Sequence, residues 1–291
     1  MRHKNRHFQT NRSLQSGKNN LDLSRPRIMG ILNITPDSFF DGGRYAAEEE
    51  RIIQTRKMLD EGADIIDLGA VSTRPGAAEV SQDEELRRLL PVLKKLVSEF
   101  PGALFSIDTY RSQVAEQCLK AGASIINDIS GGMLDPAIYE TVGRHQVPYI
   151  LMHMLGNPQT MQQNPLSGNS VQEVKVFFEE KVHLLQKKGV TNIILDPGFG
   201  FGKTLEGNYL LLKQLEALRI DNLPILAGVS RKSMIYKALD TTPEGALNGT
   251  SVVHTMALLN GADILRVHDV KEAREAIELL ILYQNSEEEK V

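Results

Sequence analysis

From residue 27 onward the chain keeps a steady beat: a short apolar run, a polar loop, then a longer stretch with helical spacing. The apolar runs fall at 28–32, 65–68, 104–107, 124–126, 149–152, 193–195, 225–227 and 264–267. They are short and apolar at consecutive positions, the pattern of parallel strands buried on both faces. Between them the spacing changes. The stretch 81–100 opens with Ser81 and Glu84 in capping-box spacing, and Leu86, Leu89, Leu90, Leu93 and Val97 line one side of it. Pro91 predicts a kink within that helix. Val174, Phe177, Phe178, Val182 and Leu185 form a second stripe, and Ala273, Ala276, Ile277 and Leu280 a third. Such stripes are core-facing helix surfaces. Gly62, Gly122, Gly189 and Gly261 stand where helices close before the next strand. Eight strands alternating with helices over about 260 residues predict one α/β domain, a (β/α)8 TIM barrel. A doubly wound sheet fits less well, because no Gly-rich dinucleotide fingerprint opens the first unit.

In such a barrel the residues at the carboxyl ends of the strands face the active site. Here they are Asn33, Asp67, Asp108, Asn127, Asp196, Lys232 just beyond the seventh strand, and Arg266 with His268 on one side of the last. Singly, each has a dull explanation: Asp67 or Asn127 could cap a helix, and Arg266 could pair with a neighbouring carboxylate. Eight on one rim predict a ligand site. The run 195–203 stands out, with Asp196 at its start and Gly198, Gly200 and Gly202 alternating behind it. Asp196 could instead cap the helix that follows. Gly202-Lys203-Thr204 resembles the tail of a phosphate-binding P-loop, but Pro197 stands where that loop requires glycine. Asp108, Asn127 and Asp196 offer acceptors suited to a flat heterocycle rich in N–H donors, and Lys232 a donor for a ring carbonyl or nitrogen. Arg266 and His268 are placed for an oxyanion. Asn33 offers one neutral oxygen, adequate for magnesium when substrate phosphates and waters complete the shell. No spacing suits structural zinc, and no Ser–His–Asp arrangement is apparent.

Composition narrows the class further. A net charge of −4 argues against a sequence-independent nucleic-acid binder. The single cysteine, Cys118, excludes an intramolecular disulfide and fits a reducing, cytoplasmic setting. No apolar run reaches the roughly 18 residues needed to span a membrane. Residues 1–20 carry Arg2, Lys4, Arg6, Arg12 and Lys18 with no acidic residue, which predicts a disordered basic tail. They lack the apolar centre of a secretory signal and a clear amphipathic pattern for a transit peptide. The barrel is expected over 21–285, with a charged tail at 286–291.

Several motifs together resemble one family. They are Ile31-Leu32-Asn33-Ile34-Thr35-Pro36-Asp37-Ser38-Phe39, Ser72-Thr73-Arg74-Pro75-Gly76, Ile126-Asn127-Asp128, the Asp196 loop, Ser230-Arg231-Lys232-Ser233 and Arg266-Val267-His268-Asp269. In this order, from about residue 21 to 280, they resemble the dihydropteroate synthases, pterin-binding barrel enzymes. The resemblance implies a transferase of folate biosynthesis. It would condense 6-hydroxymethyl-7,8-dihydropterin diphosphate with 4-aminobenzoate, releasing diphosphate by an SN1-like path, with magnesium as cofactor. Carried over by position, Asp108, Asn127, Asp196 and Lys232 resemble the pterin-binding set. Asn33, Thr73, Arg74, Arg266 and His268 resemble the diphosphate set, Asn33 also being the metal ligand. Pro75, Phe201, Ser230 and Lys232 resemble the surroundings of 4-aminobenzoate. Asp108, Asp196, Lys232, Arg266 and His268 carry the implied catalysis. The stretches 37–44 and 73–78 resemble two mobile loops. The resemblance also implies a homodimer built on helices of the C-terminal half, and small-molecule rather than nucleic-acid or membrane partners. One departure stands out: Ala70 and Val71 replace the family's usual glycine and glutamate or glutamine. Two rivals remain at this stage, a corrinoid-linked pterin methyltransferase and a non-catalytic pterin-binding paralogue.

Overall fold

The computed structural model describes residues 13–16, 19–34, 44–71, 80–157 and 159–286, with the side chains of residues 16, 19 and 44–47 excepted. Each predicted apolar run is a strand: β3 (Arg27–Asn33), β4 (Ile65–Gly69), β5 (Leu104–Asp108), β6 (Ile125–Asp128), β7 (Tyr149–Met152), β8 (Ile193–Asp196), β9 (Leu226–Ala227) and β10 (Ile264–Val267). All neighbours in this sheet are parallel, running β8-β7-β6-β5-β4-β3-β10-β9. Only a parallel bridge between Leu195 and Ile225 joins its two ends, supported by the Leu195 N–H donating to the Pro224 carbonyl at 2.8 Å. The barrel is therefore nearly closed, with its seam between β8 and β9.

The helices surround the strands in alternation: α1 (Arg44–Asp60), α2 (Gln82–Glu99), α3 (Ser112–Lys120), α4 (Ile138–His145), α5 (Ser170–Lys187), α6 (Leu205–Lys213), a short α7 (Ser233–Tyr236), α8 (Leu247–Leu259) and α9 (Val270–Asn285). The Ser81 side chain caps α2 by accepting from the Glu84 N–H at 3.3 Å, and Pro91 lies inside this helix without ending it. Leu89, Leu93 and Leu96 of α2, Val174, Phe178, Val182 and Leu185 of α5, and Ala273, Ile277 and Leu280 of α9 all join one core between helices and barrel. Among the described residues no helix is long and apolar enough to cross a membrane.

Inside the barrel a second core closes the end opposite the predicted site. Met29, Ile65, Leu104, Ile125, Ile150, Ile194, Leu226 and Ile264, one from each strand, form an apolar ring there. Leu14, Leu21 and Leu23 pack into that ring. The first two come from a hairpin, β1 (Ser13–Ser16) against β2 (Asn19–Asp22), antiparallel with Leu14 opposite Leu21. Arg27 ties it down: its guanidinium donates to Asp22 Oδ2 at 3.1 Å and to Asp64 Oδ1 at 2.9 Å. This hairpin starts at Ser13, inside the stretch expected to be tail. The reason is hydrophobic, since an open barrel end exposes an apolar ring that two leucines on one hairpin face can cover. Residues 1–12 and 287–291, where the rest of the two expected tails falls, lie outside the described residues.

Candidate active site

Moving two residues along each strand keeps the side chain on the same face. Starting from the apolar ring, that step gives Ile31, Asp67, Ser106, Asn127, Met152, Asp196, Gly228 and Arg266. One further step gives Asn33, Gly69, Asp108 and His268 at the rim. Polar positions predicted from strand ends therefore share one enclosed mouth.

Arg266 is the hub. Its Nε donates to Asp67 Oδ2 at 2.7 Å, and its Nη2 donates to Asp108 Oδ2 at 3.0 Å. Asp67 is fully buried, and the same Oδ2 accepts from Asn127 Nδ2 at 3.1 Å. The inner carboxylate thus orients both a cation and an amide, while Asp108 keeps 15% of its side-chain surface open at the mouth. Burial pushes the Asp108 carboxyl up to about 7, against the opposing pull of Arg266. Burial works against the Arg266 charge as well, but Asp67 and Asp108 outweigh it and raise its pKa.

On the other wall, Asp196 does not cap the following helix; the Thr204 hydroxyl does, accepting from the Gly207 N–H at 3.0 Å. Asp196 Oδ1 instead accepts from the Gly198 N–H at 2.8 Å, turning the glycine-rich loop back over the strand end. A β-carbon on Gly228 would stand 3.9 Å from both Asp196 Oδ2 and Arg266 Cβ, which places the two charged residues side by side. Lys232 donates to the Phe199 carbonyl, and its Nζ lies 4.6 Å from the centre of the Phe201 ring. Burial lowers Lys232 to about 8, with Asp196 opposing the shift, and burial raises Asp196 against the pull of Lys232.

Ser230 and His268 form a closed pair. The Ser230 hydroxyl oxygen accepts from the His268 backbone N–H at 3.2 Å and lies 3.0 Å from His268 Nδ1. The hydroxyl can at the same time donate to Nδ1, and in that tautomer the ring proton sits on Nε2, available as a donor. Partial burial and the Arg266 charge hold the imidazolium below its ordinary pKa, leaving a neutral ring whose outer edge is exposed at neutral pH. Arg231 braces this wall with a two-pronged pair to Asp269, both contacts at 2.8 Å.

Asn33 is exposed at the rim, and its Oδ1 stands beside Asp108 Oδ2. The two lie 3.8 and 3.7 Å from where a β-carbon on Gly69 would sit. Among the described residues, no group of three or more His, Cys, Asp or Glu could hold a metal ion. One amide oxygen beside a carboxylate suits a hard cation only when an anionic substrate supplies further oxygens. Thr73, Arg74 and Pro75 lie outside the described residues, as do 37–43 and 73–78 of the two expected loops. Before the second of these, Ala70 is fully buried and its carbonyl accepts from Arg88 Nη1 at 3.1 Å.

Two contributors were not legible as site residues. Lys203, set aside with the failed P-loop, is buried directly beneath the glycine-rich loop, and Asn208 Oδ1 accepts from the Gly200 N–H at 2.7 Å. A lysine closing an alternating glycine run was the available signal.

Known proteins share this architecture and its sequence. The family described as pterin binding enzyme matches residues 29–268. A dihydropteroate synthase of Escherichia coli (strain K12) is 43% identical over 272 residues, spanning 93% of this chain and 96% of that protein. The Yersinia pestis dihydropteroate synthase, solved in complex with a sulfonamide drug, superposes with a TM-score of 0.88 at 40% identity, covering 94% of this chain and 100% of the other. The Xanthomonas albilineans enzyme in complex with 7,8-dihydropteroate gives 0.84 at 34% identity, covering 95% and 100%.

Proposed function

The chain belongs to the pterin-binding enzymes and, within them, to the dihydropteroate synthases, and we propose how its rim carries out that transferase reaction. The substrates are 6-hydroxymethyl-7,8-dihydropterin diphosphate and 4-aminobenzoate, and the products 7,8-dihydropteroate and diphosphate. The observation that carries the assignment of roles is the pairing of Arg266 with both Asp67 and Asp108, beside Asp196 and Lys232. It sets acceptors for a ring's N–H groups against cations for a departing anion within one mouth.

Asp108, Asn127 and Asp196 accept from the pterin ring, and Lys232 donates to its carbonyl or ring nitrogen. Arg266 and the His268 Nε2–H face the diphosphate, joined by Asn33, Thr73 and Arg74. Pro75, Phe201, Ser230 and Lys232 surround 4-aminobenzoate. The bond between the methylene carbon and the diphosphate oxygen breaks, and its electron pair leaves with the oxygen. Arg266 and His268 are already aimed where that negative charge grows, which is preorganised electrostatic stabilisation. The methylene cation is conjugated with the ring and lies near the Asp108 and Asp196 carboxylates. The aromatic amine then attacks in its unprotonated form and passes its extra proton to the departing diphosphate, so no strong base on the protein is required. Magnesium held by Asn33 together with the diphosphate would neutralise charge on the leaving group. By the family resemblance, the stretches 37–44 and 73–78 would keep water from the cation.

A cytoplasmic homodimer completes the reading. Support for the dimer comes from the outer faces of α8 and α9, where Val252, Met256, Leu259, Leu279, Leu282 and Tyr283 are exposed. The two helices are neighbours, and exposed apolar side chains gathered on both suit a protein–protein contact.

The deciding experiment measures diphosphate release from the dihydropterin diphosphate, with 4-aminobenzoate and magnesium omitted in turn. Release that requires all three, with dihydropteroate recovered, is the expected result. Tight pterin binding without turnover would overturn the catalytic roles.

A further inference from the structure

Beneath the glycine-rich loop lies a buried ammonium that the reaction as written does not use. Lys203 is 4% exposed, and its Nζ faces four acceptors: His153 Nδ1 at 2.8 Å and the carbonyls of His153, Gly198 and Phe201 at 3.0, 2.9 and 3.0 Å. Burial pushes the Lys203 amine well below its ordinary pKa, with the Asp196 charge opposing the shift. The three carbonyls around Nζ favour the ammonium, and in that form it only donates, so the facing His153 nitrogen accepts and the ring proton sits on Nε2. His153 is held neutral by burial and by the lysine's charge, which push it down to about 3.

The segment from Gly198 to Gly202 has no helix or strand to satisfy its carbonyls, so each must find a partner elsewhere. Gly198 and Phe201 give theirs to Lys203, and Phe199 to Lys232. The Gly200 carbonyl accepts from Gln162 Nε2 at 2.9 Å, and that of Gly202 from the Leu166 N–H at 2.9 Å. Two lysines thus hold three of the five loop carbonyls, Lys203 those of Gly198 and Phe201 and Lys232 that of Phe199. The fit is tight: Gly198 has φ +66°, and a β-carbon there would stand 2.0 Å from the His153 carbonyl and 3.2 Å from Lys203 Nζ. The same Gly198 supplies the N–H that Asp196 accepts.

We propose that Lys203 is a positioning residue of the transferase. Its ammonium, caged by His153 and the loop carbonyls, fixes the one loop arrangement that presents Asp196 to the pterin and the Phe199 carbonyl to Lys232. The proposal rests on the reading of Asp196 and Lys232 as pterin-facing groups. The cage consists of acceptors arranged around a single ammonium, so a small alkylammonium should enter it once the side chain is removed. The lysine also lies among the cations that oppose the rise burial imposes on the Asp196 carboxyl.

The test compares the parent with Lys203→Ala and Lys203→Met. Binding of 6-hydroxymethylpterin is measured by calorimetry, diphosphate release by turnover, and folding by circular dichroism. Lys203→Ala is expected to bind the pterin about tenfold or more weaker, a size typical of a misplaced binding group. Propylammonium should restore much of the loss, and tetramethylammonium at equal ionic strength should not. An alanine protein that folds only in propylammonium supports the proposal equally. Lys203→Met keeps the volume without the charge and carries the test should the alanine protein not fold. In it the acid limb of pterin binding, set by Asp108 and Asp196 together, should move to higher pH, as Asp196 loses a neighbouring cation. Parent-like binding and turnover in either folded variant, or equal rescue by both ammonium ions, overturns the proposal. A parent that neither binds the pterin nor releases diphosphate would instead defeat the reading of the site.

Discussion

The two ends of this barrel are built from the same strands and obey opposite rules. At one end eight apolar side chains, one from each strand, and the leucines of the hairpin are buried against one another. Two residues further along the same strands, about 6.6 Å, the inward positions include Asp67, Ser106, Asn127, Asp196 and Arg266. The lower ring gains free energy by burial alone, roughly 1.5–3 kcal/mol for each large aliphatic side chain. The upper ring gains little in this way, because burying charge costs several kcal/mol per ion unless partners compensate. Its carboxylates persist because Arg266, Asn127 and the Gly198 N–H meet them. Stability and chemistry are thus stacked as separate layers of one core.

Substitutions in the two layers should separate cleanly. Asp108→Ala should lower kcat/KM for the dihydropterin substrate by about 1000-fold. It should leave the thermal midpoint nearly unchanged, since it removes a carboxyl whose charge burial opposes while Arg266 keeps Asp67. A variant that is destabilised yet active would contradict the layering. Ile194→Ala, in the lower ring, should cost about 2–5 kcal/mol in denaturant unfolding with KM unchanged for the folded protein. A kinetic defect comparable to that of Asp108→Ala would erase the distinction. The smallest effect is in pH. Asp108, raised to about 7, must be ionised to accept from the ring, and Lys232, lowered to about 8, must be protonated to donate. The pH profile of kcat/KM should therefore fall below about 7 and above about 8, roughly tenfold per unit well outside the limbs. Because the two groups interact, the limbs belong to the pair. A flat profile from pH 6 to 9, measured over about three units, would remove both groups from the binding step.

What could be read from the sequence follows the same division. Buried parallel strands are apolar at consecutive positions, so a polar residue ending such a run declares itself, as Asp108 and Asp196 do. The contacts that give those residues meaning are not local. Arg266 and Asp67 are 199 positions apart, and no spacing rule joins them. The hairpin escaped notice because each of its strands carries one buried leucine among polar neighbours, within a stretch dominated by basic residues. Lys203 escaped because lysine is rarely buried, and its burial depends on carbonyls that only the folded loop brings together.

Among the described residues, β8 and β9 are joined by a single bridge, whereas β3 and β4 are matched over five residue pairs. Asp196 ends one side of that weak join, and Lys232 follows the other. A pterin held by both residues is therefore a stitch across the place where the ring of strands is least sewn together. Ligand occupancy and integrity of the barrel become linked quantities, each strengthening the other by mass action. Amide protons of the short ninth strand are where that linkage should be most visible, exchanging more slowly as the mouth fills.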